Sequence, residues 1–314
     1  SYKTPTVVQT NRVVCVSTGS KHILALSDTA EVLSFGQGNH GQLGHGNQED
    51  QRNPRVIEAL CGMSVIAIAA GGSHSLALTK EGAVFSFGRG IFGQLGHGNR
   101  EDQLNPKVIE ALCGRRVVAI AAGERTSMAL NADGVVYSFG WGPHGMLGHG
   151  DPSTQLVPKP IEPLRNRHVV AVSVGREHTM VLTDEGIVLS FGYGGYGLLG
   201  HGDEKSELVP KVIEALHGRC VVATSAGRRV VAISAGAEQS LVLTIDGAVL
   251  SFGCRGAGFR DCQYEPTVVE ALRDVRVATI VVGVRIMVLT DEGVVLSLKN
   301  GVKNTTLWTL ARLH

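Results

Sequence analysis

Aromatic residues make up only 5% of this 314-residue chain, and two of them alone, Trp141 and Trp308, are tryptophans. No Trp-Asp dipeptide occurs, which removes the repeat class built on it. The formal charge of +1 leaves no net field to draw in nucleic acid or an anionic membrane, so neither is expected as a partner. No apolar run approaches membrane-spanning length, so no insertion is expected. The first ten residues show neither an initiator Met nor the shape of a signal peptide, and read as a processed or trimmed end. No Ser-His-Asp arrangement, nucleophile elbow or zinc spacing is present. The chain therefore reads as a non-enzyme without cofactor, metal or catalytic residues. Cys254 and Cys262, seven residues apart, fit no zinc pair. With Cys15, Cys61, Cys113 and Cys220 they read as reduced thiols of an intracellular protein, cytoplasmic or nuclear.

What the chain does have is glycine, 41 residues of it, and a repeat. Ser-Phe-Gly recurs with its ring at Phe35, Phe87, Phe139, Phe191 and Phe252, spaced 52, 52, 52 and 61 residues apart. A worn sixth copy puts Leu298 in the phenylalanine place. Four of these strands lead into GQLGHG at 41–46 and 93–98, GMLGHG at 145–150 and GLLGHG at 197–202. Each unit offers four short strands, which in the second unit are 65–71, 74–79, 83–88 and 106–112. Apolar residues on both faces call for a neighbour on each side, as a propeller blade has. The small-residue stretch Ala69-Ala70-Gly71 suits the crowded innermost strand.

Residues 68–78 and 16–26, each a small-small-Gly-x-x-His core running into an apolar strand, resemble the regulator of chromosome condensation (RCC1-like) repeat family. The likeness extends over nearly the whole chain. It implies an all-β propeller of four-stranded antiparallel blades, seven being the family norm. Here the length fits six blades, with a seven-blade ring lacking one as the alternative. The segment 5–9 resembles a fourth strand and is expected to complete the last blade and close the ring. One domain is thus expected over 1–303, with a tail at 304–314. The nine residues 221–229 nearly duplicate 230–238, and the second copy is expected to form the inner strand because Gln239-Ser240-Leu241 follows it as His74-Ser75-Leu76 follows the earlier one.

Four G-x-G-x-x-G strings, beginning at Gly36, Gly88, Gly140 and Gly192, are turn glycines, because a dinucleotide fingerprint occurs once and opens a helix. His45, His97, His149 and His201 sit in separate units and are expected to bond loop backbone. His22, His74 and His178 occupy a core place that Thr126, Gln239 and Ile286 take elsewhere.

Strand alternation divides the loops between two faces. One carries Arg89, Phe92, Trp141, His144, Tyr193 and Tyr196, residue types that binding hot spots favour, or else rings that pack between blades. The other carries the links between blades, with Arg115, Arg116, Arg165 and Arg167, read either as exposed ion pairs or as an arginine ring for an acidic segment. The function that follows is a protein–protein interaction scaffold, a subunit or module of a larger assembly. The alternative that the resemblance implies is guanine-nucleotide exchange on a Ran-type small GTPase. Ultraviolet sensing, as in a similar plant photoreceptor, would need a tryptophan cluster that two residues cannot form.

Overall fold

In the first five repeats the third strand, of the Val-x-Ser-Phe-Gly type, alternates residues that face the two neighbouring units, while the strand before it is an apolar stretch with polar residues at its ends, as Leu76-Ala77-Leu78 lies between Ser75 and Thr79. The computed structural model describes residues 12–216, 230–254, 261–282, 286–298 and 307–312. These residues form six four-stranded antiparallel sheets, each with its strands in chain order, the expected six-bladed propeller. In blade 2 the strands are Val65–Ala70, His74–Thr79, Val84–Gly88 and Gln103–Val108. All six residues of His74–Thr79 are buried, because this strand is covered by blades on both sides. The fourth strands carry Pro54, Pro106, Pro158, Pro210 and Pro266, five residues that cannot donate to an added strand. A single 3₁₀ turn such as Glu110–Leu112 then leads into the next blade.

The core lies between blades. Among the described residues five hydrophobic clusters form, one at each junction from blade 1 to blade 6. At the first, Leu24, Leu26 and Val32 of blade 1 meet Val65, Ile68 and Phe87 of blade 2. Phe87, Phe139, Phe191 and Phe252 are fully buried. Each ring lies against a loop glycine of the preceding blade, Gly44, Gly96, Gly148 or Gly200, whose φ of +73° to +76° and missing Cβ bring backbone onto the ring. First strands touch one another in turn from Val13–Thr18 to Val277–Val282. Among the described residues no cluster joins blade 6 back to blade 1.

Several expectations change. The fourth place in blade 6 belongs to Leu307–Arg312, paired with Val294–Leu298, so the propeller continues into the supposed tail. This segment follows its partner strand by a short connection, whereas 5–9 would have to come from the far end of the chain. Residues 5–9 themselves lie outside those described. Cys254 and Cys262 are joined by a disulfide, not reduced. They face each other across the third and fourth strands of blade 5, a relation that spacing along the chain does not reveal. Cys15, Cys61 and Cys113 are free and exposed, and Cys220 lies outside the described residues. Ile286 does not take the histidine place: it stands opposite Leu298 as Ser75 stands opposite Phe87, so that place falls at position 285, again outside them. The second duplicate does form the inner strand of blade 5, Val230–Ala235, as expected. No helix among the described residues is long and apolar enough to cross a membrane.

Candidate partner-binding faces

The loop histidines clamp their own blades. Ser34, Ser86, Ser138 and Ser190 each donate to the carbonyl of Leu43, Leu95, Leu147 or Leu199 at 2.7–2.8 Å. Each hydroxyl has then spent its proton, so His45, His97, His149 and His201 donate through Nε2 to these serines at 2.9–3.1 Å. The partner is a serine side chain rather than the loop backbone that the sequence suggested. Burial holds all four imidazoles below their ordinary pKa, His97 and His149 down to about 4.

The second set staples neighbouring blades. His22, His74 and His178 meet Ser75, Ser127 and Ser240 of the following blade at 2.9, 2.8 and 2.7 Å. Those serines donate to the carbonyls of Gln42, Gln94 and Leu198, which again makes Nε2 the donor. Nδ1 of each ring is buried without a hydrogen-bond partner. Burial lowers these pKa values to about 4, 3 and 4, so the rings are neutral.

On the same face as these turns, the long loops place one variable residue at each tip. In blade 1 it is His40, whose Nδ1 lies 3.2 Å from Asp102 of blade 2. In blade 2 it is Phe92, 6.2 Å from Trp141 of blade 3. In blade 3 it is His144, edge-on to Tyr193 of blade 4 at 5.1 Å. In blade 4 it is Tyr196, 6.2 Å from Tyr193. Each tip leans toward the following blade or its own loop, yet Phe92, Trp141, Tyr193 and Tyr196 stay partly exposed and His144 is exposed. Both sequence readings of these rings therefore hold in part: they pack at the junctions and still face solvent. Burial raises the Tyr193 pKa, with the neighbouring Tyr196, Glu177 and Glu204 adding to it.

The sequence missed the centre of this surface. Arg125, from the turn between the first two strands of blade 3, sits 4.9 Å from the Phe92 ring and 4.9 Å from the Trp141 ring. Arg89 also lies over the Phe92 ring, at 5.7 Å. Both guanidinium groups are partly exposed, and neither has a carboxylate partner among the described residues. Stacking leaves the N–H edge of an arginine free for a planar acceptor. The signal was there: the residue before the histidine place varies as Lys21, Ser73, Arg125, Glu177 and Glu238.

The linker arginines do not assemble in this way. Arg115 stacks at 6.0 Å over Tyr137, and Arg116 is exposed. Arg165 pairs at 3.7 Å with Glu162 of its own turn, both well exposed, a contact worth about 0–1 kcal/mol. Arg167 lines a small polar pocket of about 250 Å³ with Asn166, His168, Asp184 and Glu185.

A ring of four-stranded blades, stapled by histidine and serine and bearing variable tips on one face, defines a propeller of the chromosome-condensation-regulator type. The family model described as the RCC1-like domain matches residues 1–230, and the chain belongs to that family. It is 37% identical over 295 residues to the human E3 ubiquitin-protein ligase HERC2, a match covering 90% of this chain but 6% of that protein. It is 38% identical over 244 residues to the ultraviolet-B receptor UVR8 of Arabidopsis thaliana, covering 77% of this chain and 53% of the receptor. The chain thus spans little more than half of these relatives, or far less. Among solved structures, human WBSCR16 superposes with a TM-score of 0.77 at 23% identity, covering 92% of this chain and 76% of that one. Prp20p from Saccharomyces cerevisiae, described with its binding to Gsp1p and histones, gives 0.76 at 21%, covering 94% and 76%.

Proposed function

We propose that this chain is a protein-docking scaffold whose partner presents an acidic, apolar-flanked segment to the loop-tip face. The observation that carries this reading is Arg125 between Phe92 and Trp141, with Arg89 beside it and no carboxylate among the described residues to neutralise either. A partner carboxylate would take the free edge of a guanidinium, and an apolar neighbour would lie on the exposed rings and Ile91. The family match supports a docking role, as does the protein binding named for Prp20p.

The test uses fluorescein-labelled decapeptides alternating Asp or Glu with Phe or Leu, followed by anisotropy at low salt. Arg125→Gln is expected to weaken the best binder on the order of 30-fold, with Trp141→Ala comparable. Charge reversal at Arg115 and Arg116 on the opposite face is expected to leave it unchanged. Equal loss from both faces would mean non-specific charge attraction and reject the site. Guanine-nucleotide exchange is the competing reading, resting on fold likeness alone. Addition of the chain to a purified small GTPase carrying labelled GDP is expected to leave the release rate as it was.

A further inference from the structure

In blades 1, 2 and 4 the long loop is fastened at its base by a side chain. Asp50, Asp102 and Ser206 each precede the residue that pairs with the glycine of Ser-Phe-Gly. They accept the N–H of Gly38, Gly90 and Gly194 at 2.9, 2.8 and 3.2 Å. Blade 5 puts Cys262 in that place, since Gly253 pairs with Gln263 as Gly88 pairs with Gln103. Its disulfide partner Cys254 follows Ser-Phe-Gly directly, where Arg89, Trp141 and Tyr193 stand in blades 2 to 4. A hydrogen bond indifferent to redox conditions is thus replaced by a covalent bond that thiols can open.

The loop of blade 4 rests on this fastening. Gly197 lays its backbone on the start of the next fourth strand, as Gly93 does on Gln155 and Leu156. A Cβ at Gly197 would stand 2.6 Å from the Gln263 carbonyl oxygen and 2.8 Å from Cα of Tyr264. Sγ of Cys254 lies 3.8 Å from the carbonyl oxygen of Tyr196. Tyr196 has a φ of 63°, a left-handed conformation that a tyrosine keeps only when its surroundings hold it. Farther along the same loop, Gly202 donates to the carbonyl of Tyr264 at 2.9 Å.

We propose that Cys254–Cys262 is a thiol–disulfide exchange site that sets the order of the blade 4 loop tip, opened by a small dithiol and closed by a small disulfide. Cys262 is partly exposed and Cys254 is buried, so the attack falls on Cys262. A thiolate of the dithiol bonds to Sγ of Cys262, the S–S bond breaks, and Cys254 leaves with the electron pair and takes up a proton. The second thiol then displaces Cys262, leaving two thiols on the chain and the reductant oxidised to a cyclic disulfide. Closure passes the same two electrons to the small disulfide, which ends as two thiols. Opening frees Gln263 and Tyr264 from their covalent anchor, and the tip that carries Tyr196 loosens with them.

The experiment blocks every free thiol of the folded protein with N-ethylmaleimide, adds dithiothreitol without denaturant, and alkylates with iodoacetamide. Mass spectrometry is expected to find the second label on Cys254 and Cys262, and oxidised glutathione added before it to prevent that labelling. Amide hydrogen exchange over 195–202 should speed up about tenfold on reduction, while the matching stretch of blade 2, 91–98, stays as it was. Cys254→Ser with Cys262→Ser should show the fast exchange without reductant and no response to it. Cys254→Ser with Cys262→Asp, which gives blade 5 the fastening residue of blades 1 and 2, should restore slow exchange and remain indifferent to dithiothreitol. Three results would overturn the proposal: no second label until the protein unfolds, exchange over 195–202 that is the same in both redox states, or an equal rise over 91–98.

Discussion

Lowering the pH from 7 to 5 is expected to weaken the propeller steeply, by on the order of 2 kcal/mol for each of His22, His74 and His178. The cause is the staple geometry. Each ring donates through Nε2 to a serine whose own proton is committed to a carbonyl. The second nitrogen is buried with no acceptor among the described residues, so protonating it would bury a charge and strand an N–H. The folded-state values, about 3 to 4, lie below the ordinary 6.5. Between those limits the unfolded chain binds more protons than the folded one. Stability is therefore complete above pH 6.5 and declines as pH falls toward 4. Urea unfolding at half-unit steps reads this directly. The triple variant His22→Gln, His74→Gln and His178→Gln should flatten most of the slope, since Gln239 already occupies this place in blade 5. A residual slope from His97 and His149 is expected to remain. An unchanged slope in the triple variant would show that the staples do not govern acid sensitivity.

Phe139→Ala should cost about 3–5 kcal/mol, while Phe35→Ala, the same change in the same repeat position, should cost about 1 kcal/mol or less. Phe139 is fully buried, with Gly96 of the preceding blade against its ring. Removing its ring leaves a cavity that a rigid glycine turn on one side cannot collapse to fill. Phe35 has solvent on one side and loses less by truncation. Equilibrium urea unfolding of the two single variants reports the contrast. Equal losses would mean that blade 1 is covered as fully as blade 3.

The repeat made most of this architecture readable. Period, strand count, the burial of the Ser-Phe-Gly ring and the choice between the duplicated inner strands follow from local pattern, because each blade obeys the same steric rules. What depended on contacts between distant residues was less visible. Arg125 sits at a place that varies freely from blade to blade, and its importance comes from two rings on other loops. The Cys254–Cys262 pairing needed strand register, as did the placement of Ile286. Leu307–Arg312 lacks the proline of the other fourth strands and so read as a tail. The six ring and arginine residues expected on the loop-tip face do gather there, whereas the four linker arginines remain apart.

The prolines of the outer strands have a consequence for crowded solutions. With five of six rims unable to complete a hydrogen-bonded ladder with a stranger, folded molecules pressed together at high concentration should slide past one another sideways rather than knit into cross-β fibrils.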